Sequence, residues 1–556
     1  MKTLFKSLAV IGGTTLLLAH VHHVLAIDAT DTSQPEQSSS IIASSKESEQ
    51  VVQPPTQATA PPVIKLPKPM ATTRAGFTQV GTVAALKTAL ENGESVQLTA
   101  DITLSNNSER IQLGKTNPQD ITIDGADPLT GQHHRLDVVD SSATAASTRL
   151  HFGSNMAGTT IKLTNLKITN NNYYGICHPA LDSYSRGSTL LLDNVDYTST
   201  AQALHLMYGV VAFSGNNTIT QQDSAYSQEF AETGRLDFRG GTTTINHTGR
   251  LSYGLLRIEQ MPTDGIAAGL RVSGGAKVNI TTNNAIFPTV GLGITQIDIE
   301  SKGAGSSLTL NAGGHIFDVT GTDGGSINVT KGTNFYQNGT TNRLISATND
   351  GHINLQLAET LYNLAQTNSP MSATQNSSID VKTTGVTFDA SQTKSPVTAD
   401  QNSTINLASD SNVFDASSVQ DSPISATNGS QINLNAGKDL FAYIYSPTSG
   451  NPLMQLTADS TSKMGLVAKD AFIRNAQASG LKFDIGGQLS ATFGQYFANS
   501  SDRPFFHDFR DNSTVDLTIN GAQSAANGLI PLGSTGSYMK IGDHSKVTIN
   551  NQTTTS

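Results

Sequence analysis

The sequence predicts an all-β protein, more specifically a parallel β-helix in which the chain winds through stacked coils. Its 556 residues exceed an ordinary single domain, which favours an architecture that grows by repetition. Charged residues make up only 14%, Trp is absent, and Ser, Thr, Asn and Gly are abundant, as is typical of strand surfaces and tight turns. Short strand signals also recur at a constant spacing in the C-terminal half.

The clearest repeat is an apolar-polar-apolar segment whose first residues are 26, 26, 26 and 27 apart. It occurs at Ile327–Val329, Ile353–Leu355, Ile379–Val381, Ile405–Leu407 and Ile432–Leu434. Because side chains alternate along a strand, the aliphatic residues are expected to point inward and the polar residue between them outward. Three strand signals and a turn within about 26 residues match one coil of a parallel β-helix. A leucine-rich repeat is disfavoured, since its leucine framework and any helical segment are missing.

Three further features keep the same phase. A second strand signal recurs at Leu344–Ala347, Pro370–Ala373, Pro396–Ala399 and Pro423–Ala426. Turn signals recur at Asn349–Gly351, Gln375–Ser377, Gln401–Ser403 and Asn428–Ser430. Phenylalanines are predicted to form one inward column, made of Phe317, Phe388, Phe414 and Phe441.

A short amphipathic helix is predicted before the first coils. Val83, Leu86 and Leu90 recur with helical spacing, Thr82 is a suitable N-cap, and Gly93 suits a left-handed stop. We expect this capping helix to cover the first edge of the sheet, which would otherwise be unpaired. Strand signals follow at Val96–Leu98 and Ile102–Leu104.

Residues 1–26 are predicted to be a secretory signal peptide, with an apolar segment between Lys6 and a small-residue cleavage site at Val24–Ala26. Residues 27–75 are rich in Ser, Gln and Pro and are predicted to be a disordered spacer. The mature chain is expected to be secreted without membrane insertion, because no other segment is long and apolar enough to span a bilayer. Cys177 is the only cysteine, so it is expected to be a buried structural residue.

Upstream motifs resemble a known family. Ile121–Gly125, Leu163–Asn170 and Leu192–Tyr197 are similar to the pectate-lyase-like adhesive domain of Gram-positive cell-surface proteins. The resemblance covers about residues 76–330, with residues 331–556 as a continuation in regular coils. It implies a right-handed, pectin-lyase-like β-helix at the cell surface or cell wall, and a non-catalytic adhesin that contacts host, matrix or biofilm partners. The last strand signal is expected to continue beyond Ser556.

The enzyme alternative is a secreted polysaccharide lyase or hydrolase on the same scaffold, which requires clustered acids with a base. The candidate groups are Asp120, Asp124, Asp127, Arg135, Asp137 and Asp140. The segment Asp124–Asp127 is interpreted first as a turn. His133 and His134 lack a partner at the spacing of metal ligands and are interpreted as an exposed loop. The regular half is expected to carry no matching outward acids and bases, so no catalytic residue and no metal ligand is predicted; calcium remains open as a cofactor.

The best candidate for a binding surface is the segment 170–186, which interrupts two matched strands. Its tyrosines, with a histidine and an arginine, are suited to stacking on sugar rings or to a protein partner. The predicted ligand-binding residues are Tyr173, Tyr174, His178, Tyr184 and Arg186, with Tyr208 from the next coil. The alternative is a loop whose tyrosines seal the sheet edge. Nucleic acid is an unlikely partner, because the net charge is −10 and no basic run is present; homotypic contacts stay open.

Overall fold

A computed structural model of the protein confirms the parallel β-helix. It describes residues 76–552 apart from 106–109, 140–149, 180, 223–227, 250–253, 259–267, 288–295, 302–304, 314–315, 321–325, 331–332, 338–344, 357–359, 364–370, 384, 391–396, 415, 418–423, 445–453, 477–480, 498–505 and 521–537. The predicted signal peptide, the spacer, Asp140 and Ser556 therefore lie outside the described residues.

Each coil contributes a strand to each of three faces, and the strands of a face pair in parallel from one coil to the next. The first face contains Thr78–Val80, Val96–Leu98, Ile121–Asp124, Thr160–Thr164, Thr189–Asp193, Gly269–Val272, Gln296–Ser301, Ser326–Thr330, His352–Gln356, Ser378–Thr383, Thr404–Ser409, Gln431–Ala436, Thr514–Ile519 and Lys546–Asn551. The second face contains Ile102–Leu104, Arg135–Val138, Lys167–Asn170, Asp196–Ser199, Asn217–Gln221, Thr242–His247, Lys277–Thr282, Ser307–Ala312, Thr333–Gln337, Thr360–Asn363, Gly385–Ala390, Ala416–Ser417 and Phe441–Ile444.

The third face carries the candidate site. It contains Ile111–Leu113, Leu150–Phe152, Cys177–Pro179, Leu256–Ile258, Phe317–Thr320, Ile345–Thr348, Met371–Thr374, Val397–Asp400, Ile424–Ala426, Met454–Ala458, Leu481–Ile485, Phe506–Phe509 and Tyr538–Ile541. Two long strands, Leu204–Ser214 and Ala231–Phe238, run from the third face into the first. Two more, Lys463–Ala476 and Gln488–Phe497, run from the first face into the second. Short 3-10 helices lie at Ser154–Met156 and Asp182–Ser185.

The predicted register of the regular coils is confirmed on the first face. Ile353 pairs with Ile379, Ile379 with Ile405, and Ile405 with Ile432. All four side chains are fully buried, so they form one continuous aliphatic column. Burial of such a side chain is worth about 1.5–3 kcal/mol, and the column therefore holds successive coils together.

The turn signals occupy left-handed backbone positions, as their Asn, Asp and Gly content predicts. Gln401 and Asn402, for example, have φ of 55° and 60°. The buried serine after each turn extends this regularity. The backbone N–H of Ser377 donates to Oγ of Ser403 at 3.1 Å, and that of Ser403 donates to Oγ of Ser430 at 3.1 Å. Each turn is thus tied to the same turn of the next coil.

The capping helix is confirmed at Val83–Glu91, with Thr82 Oγ1 accepting from the backbone N–H of Ala85 at 3.2 Å. Leu86 and Leu90 of this helix are fully buried. One strand that the sequence did not predict precedes the helix: Thr78–Val80 pairs in parallel with Val96–Leu98. The first-face ladder therefore begins one strand earlier than expected.

The prediction of a single phenylalanine column is wrong. Phe317 lies on the third face, where it stacks on Phe287 at 5.8 Å between ring centroids. Phe414 pairs with Phe441, a residue of the second face, and these rings stack at 4.9 Å. As predicted, Phe317, Phe414 and Phe441 are buried, but they belong to separate columns, because the column of Phe317 continues through Ile345 and Met371. The side chain of Phe388 lies outside the described residues.

The predicted boundary at residue 330 stays a prediction, since first-face pairing passes through it from Ser326–Thr330 to His352–Gln356. Among the described residues, no helix has the length and apolar character needed to cross a membrane.

Replacement of Ile405 by Ala tests the aliphatic column. We expect the free energy of unfolding to fall by about 2–5 kcal/mol, because the substitution leaves a cavity between Ile379 and Ile432. Urea unfolding followed by circular dichroism measures the loss. The control is Lys382→Ala on the same face, whose side chain is exposed and whose loss should change stability by less than about 0.5 kcal/mol. Equal stability of both variants would contradict the column.

Candidate functional site

A ladder of polar side chains runs along the outside of the third face in the N-terminal half. His151 pairs in register with His178, and one coil further His205 pairs with Glu232, which pairs with Arg257. The rings of His178 and His205 lie 4.5 Å apart between centroids, and this contact joins the His151–His178 pair to the series His205, Glu232 and Arg257. We call these five residues the third-face ladder.

Strand alternation explains why the ladder points outward. In the strand Cys177–Pro179, Cys177 faces the core, and His178 between its neighbours faces the opposite side. Burial raises the pKa of the Cys177 thiol, which confirms the prediction of a buried structural cysteine rather than a nucleophile beside His178.

The ladder is covered although it faces outward. The 3-10 helix Asp182–Ser185 contacts the strand that carries His178 and the strand that carries His205. As a result both imidazoles are only 4% exposed. Asp182, by contrast, keeps 42% of its side chain exposed and forms the opening of the site.

His205 is the most strongly bonded member of the ladder. Its Nε2 lies 3.1 Å from Oδ1 of Asp182, and its Nδ1 lies 3.0 Å from Oε2 of Glu232. Burial lowers the pKa of His205, but the hydrogen bonds and charges of these two carboxylates outweigh burial and raise it above its ordinary value. The hydrogen bond with His205 in turn lowers the pKa of Asp182.

His178 and His151 differ from His205 in charge. Burial, assisted by the nearby His205, lowers the pKa of His178 to about 3, and its Nδ1 has no hydrogen-bond partner. Burial, assisted by Arg110, lowers the pKa of His151 to about 4. Nη2 of Arg110 lies 3.1 Å from Nδ1 of His151. Both imidazoles are therefore neutral at pH 7, whereas the pKa of His205 is raised by its two carboxylate neighbours.

Acidic groups and an arginine continue the ladder. Arg257 Nη1 lies 3.0 Å from Oε1 of Glu232 and 3.9 Å from Oε1 of Glu229. Burial raises the pKa of Glu229. Burial acts in the same direction on Glu232, but its hydrogen bond with His205 prevails and lowers the pKa of that carboxyl.

Three of the predicted site residues lie in this ladder or beside it: His178 is one of its members, and Tyr174 and Tyr173 pack next to it. The ring of Tyr174 packs 4.4 Å from His178 and 5.2 Å from His205, measured between centroids. Tyr173 stands edge-on to Tyr174 at 4.7 Å, and its hydroxyl accepts from Nε2 of Gln228.

The other predicted residues form a separate patch beside the site. The guanidinium of exposed Arg186 lies over the ring of Tyr208, 4.8 Å from its centroid. Tyr184 belongs to the covering 3-10 helix and is half-buried. We call Tyr184, Arg186 and Tyr208 the outer patch. A binding role for all six predicted residues stays a prediction.

Sequence reasoning missed most of the ladder. Asp182 and Glu232 were not among the predicted site residues, and neither were His151, His205 and Arg257. A signal was present, because His151, His178, His205 and Glu232 recur at intervals of 27 residues. That interval equals one coil, which places the four side chains one above another.

The candidate acids of the enzyme alternative are used locally. Asp127 Oδ1 accepts from the backbone N–H groups of Leu129 and Thr130, so the turn interpretation is confirmed. His134 packs against this turn, with its Nε2 3.1 Å from Oδ2 of Asp127. These hydrogen bonds and this contact engage the Asp127 carboxylate in stabilising a loop.

The expectation that the regular half carries no matching acids and bases is also wrong. Nε of Arg474 donates to Asp439 at 2.6 Å, and Arg510 lies 2.5 Å from Asp484. Each pair links neighbouring coils. Both carboxylates are buried, so the ion pairs fasten coils together rather than face a groove.

Comparison with known families covers part of the site, since Tyr208, Glu232 and Arg257 lie beyond the matched residues. Residues 77–205 match the family described as a pectate lyase-like adhesive domain. The matched segment is shorter than the predicted 76–330 and contains the segment 170–186. Searches of curated proteins and of solved structures gave no match.

The buried histidines make stability depend on pH. A histidine whose pKa falls from 6.5 to about 4 on folding takes up its proton more readily in the unfolded chain. Its contribution is complete above pH 6.5 and is lost as the pH falls toward 4. His205 acts in the opposite direction, because a raised pKa stabilises the fold at low pH and this contribution disappears as the pH rises through that pKa.

Replacement of His151 by Gln should therefore make the fold less sensitive to acid. We expect the decrease in unfolding free energy between pH 7 and pH 5 to be smaller in His151→Gln than in the parent chain. Urea unfolding at both pH values measures it, with the exposed His352→Gln as the matched control. An identical pH dependence in His151→Gln and the parent would show that His151 is not a neutral buried group.

Proposed function

We propose that the protein is an exported, non-catalytic adhesin whose N-terminal coils bind a surface and whose regular coils serve as a stalk. The similarity of residues 77–205 to an adhesive domain carries the proposal. The described chemistry supports it, because the clustered aromatic and polar groups outside the core lie in or next to that segment. The partner is a glycan or protein of a host or matrix surface, and biofilm contacts between cells belong to the same class.

The outer patch is the contact surface in this proposal. Tyrosine rings offer flat apolar faces to sugars, and an exposed guanidinium binds carboxylates or hydroxyls in a fixed geometry. Arg186 already lies against Tyr208, so the two side chains are partly ordered before binding. Preorganisation of this kind reduces the entropy lost on association.

The third-face ladder supports the patch from below. His205 bonds Asp182, the first residue of the 3-10 helix that carries Tyr184. The backbone N–H of Tyr208 donates to Oγ of Ser185 in the same helix at 3.2 Å. The helix and the adjoining strand are thereby fixed relative to each other, which holds the outer patch in one arrangement.

Export and surface location belong to the same proposal. The predicted signal peptide sends the chain out of the cell, and the predicted spacer separates it from the first coil. We place the protein at the cell surface or cell wall of a Gram-positive bacterium, with nucleic acid excluded as a partner by the net charge of −10.

The second candidate is a polysaccharide lyase or hydrolase, and one observation favours it. Glu229 and Glu232 lie with Arg257 on neighbouring coils, at distances of 3.9 and 3.0 Å. Cleavage of a polymer, however, requires carboxylates that reach the substrate. The side chains of Glu229 and Glu232 are only 3% and 10% exposed, and Glu232 already contacts both His205 and Arg257. Attachment therefore accounts better for this arrangement.

The double variant Tyr184→Ala/Tyr208→Ala tests the contact surface. We expect its binding to the glycan or matrix protein that captures the parent chain on an array to weaken by at least about tenfold, the effect of losing one aromatic anchor. The matched control is Tyr538→Ala, which removes an exposed tyrosine at the far end of the third face. Unchanged binding by the double variant, with its melting temperature preserved, would refute the outer patch.

Incubation with polygalacturonate, with and without calcium, separates attachment from cleavage. The full chain should release no unsaturated uronate and no new reducing ends, as measured by ultraviolet absorbance and end-group assay. Products that accumulate with the parent chain and disappear with Glu232→Gln would establish the enzyme instead.

A further inference from the structure

Three potential metal ligands converge at the opening of the third-face ladder. Nitrogens of His178 and His205 and a carboxylate oxygen of Asp182 all lie within 4.8 Å of one another. Asp182 Oδ1 is 3.1 Å from Nε2 of His205 and 4.0 Å from Nε2 of His178. Ligand atoms around a tetrahedral zinc ion are about 3.3 Å apart, so a small rotation of the His178 side chain brings all three into range.

The surroundings of His205 are those of a metal-bound histidine. Its Nδ1 lies 3.0 Å from both Oε2 of Glu232 and Oε1 of Gln202, while its Nε2 points to Asp182. Metal-ligating histidines usually donate their second ring N–H to a carboxylate, which fixes the ring and makes the ligating nitrogen more basic. Gln202 Nε2 donates to the same Glu232 oxygen at 3.3 Å and holds that carboxylate in place.

His178 supplies a second, independent observation. It is 4% exposed, its Nδ1 has no hydrogen-bond partner, and its Nε2 is too far from Asp182 for a hydrogen bond. A buried polar group without a partner costs about 1–3 kcal/mol, and a metal bond to one ring nitrogen would offset that cost.

We propose that His178, Asp182 and His205 bind one zinc ion, with Glu232 as the positioning residue of His205. Two imidazoles and one carboxylate suit zinc, whereas calcium takes oxygen ligands. The exposed side of Asp182 leaves the fourth position to water. The ion joins the 3-10 helix to two successive coils of the third face. It would thus fasten the base of the outer patch, although the metal site stands whether or not that patch binds a surface.

Zinc binding by the chelator-treated full chain tests the site. Calorimetric titration and elemental analysis should find one zinc ion per chain that Asp182→Asn and His178→Asn fail to bind. Glu232→Gln should bind it about 10–100-fold more weakly, because only the orientation of His205 is lost. The matched control His352→Asn removes an exposed histidine of the first face and should bind like the parent chain.

Cobalt substitution adds a readout of geometry. A cobalt-loaded parent chain should show the visible absorption of a four-coordinate site, and this band should vanish in Asp182→Asn. Asp182 is the exposed ligand, so its replacement leaves the core intact if the buried histidine variants fail to fold. Zinc content that is equal in parent, Asp182→Asn and His178→Asn would overturn the proposal, as would the absence of zinc binding or a preference for calcium.

Discussion

Parallel backbone pairing between successive coils is the interaction on which the rest of the structure depends. Adjacent strands lie about 4.8 Å apart, so every side chain stands directly above its counterpart in the preceding coil. A slip of one residue would turn the column of Ile379, Ile405 and Ile432 toward solvent, and the cost of exposing it fixes the register. The same register stacks the outward side chains. Ladders of similar polar residues are therefore a consequence of the fold. The polar groups of each ladder must find hydrogen-bond partners.

Sequence alone predicts those parts of the fold whose signals repeat in every coil. The isoleucine ladder, the left-handed turns and the helix with its Thr82 cap were recognisable because local preference and repeat phase agree. The phenylalanine column failed because Phe317 lies 71 residues before Phe388, which is not a whole number of coils of 26 or 27 residues. Residue type alone therefore did not identify a shared face. The site was predicted in part: Tyr174 and His178 stood out by composition. Asp182 did not, because its role depends on a 3-10 helix that folds back over the third face.

Stacked histidines create an electrostatic conflict, which the third-face ladder resolves by keeping two of its three imidazoles neutral. Three adjacent imidazoles cannot all carry protons in a buried site, because like charges at this separation repel and none is well solvated. Arg110 supplies the positive charge beside His151, and burial keeps His178 neutral. His205 favours its proton only because carboxylates lie on both of its sides. His178, whose Nδ1 has no hydrogen-bond partner, lies next to His205, which contacts two carboxylates. This arrangement suits the cation site proposed above.

The outward side chains of the regular coils form a different kind of ladder. On the first face, Nδ2 of Asn433 donates to Asn406 at 2.6 Å, and Nδ2 of Asn406 donates to Asp380 at 2.5 Å. An outward ladder of this kind satisfies its own hydrogen bonds along the axis and keeps little capacity for a ligand. Near the segment 170–186 the coils carry extra residues, which form the covering helix and bury polar groups that cannot satisfy one another in this way. The third-face ladder thus differs from the Asn ladder in chemistry, because its successive members are imidazoles, a carboxylate and a guanidinium rather than equivalent amides.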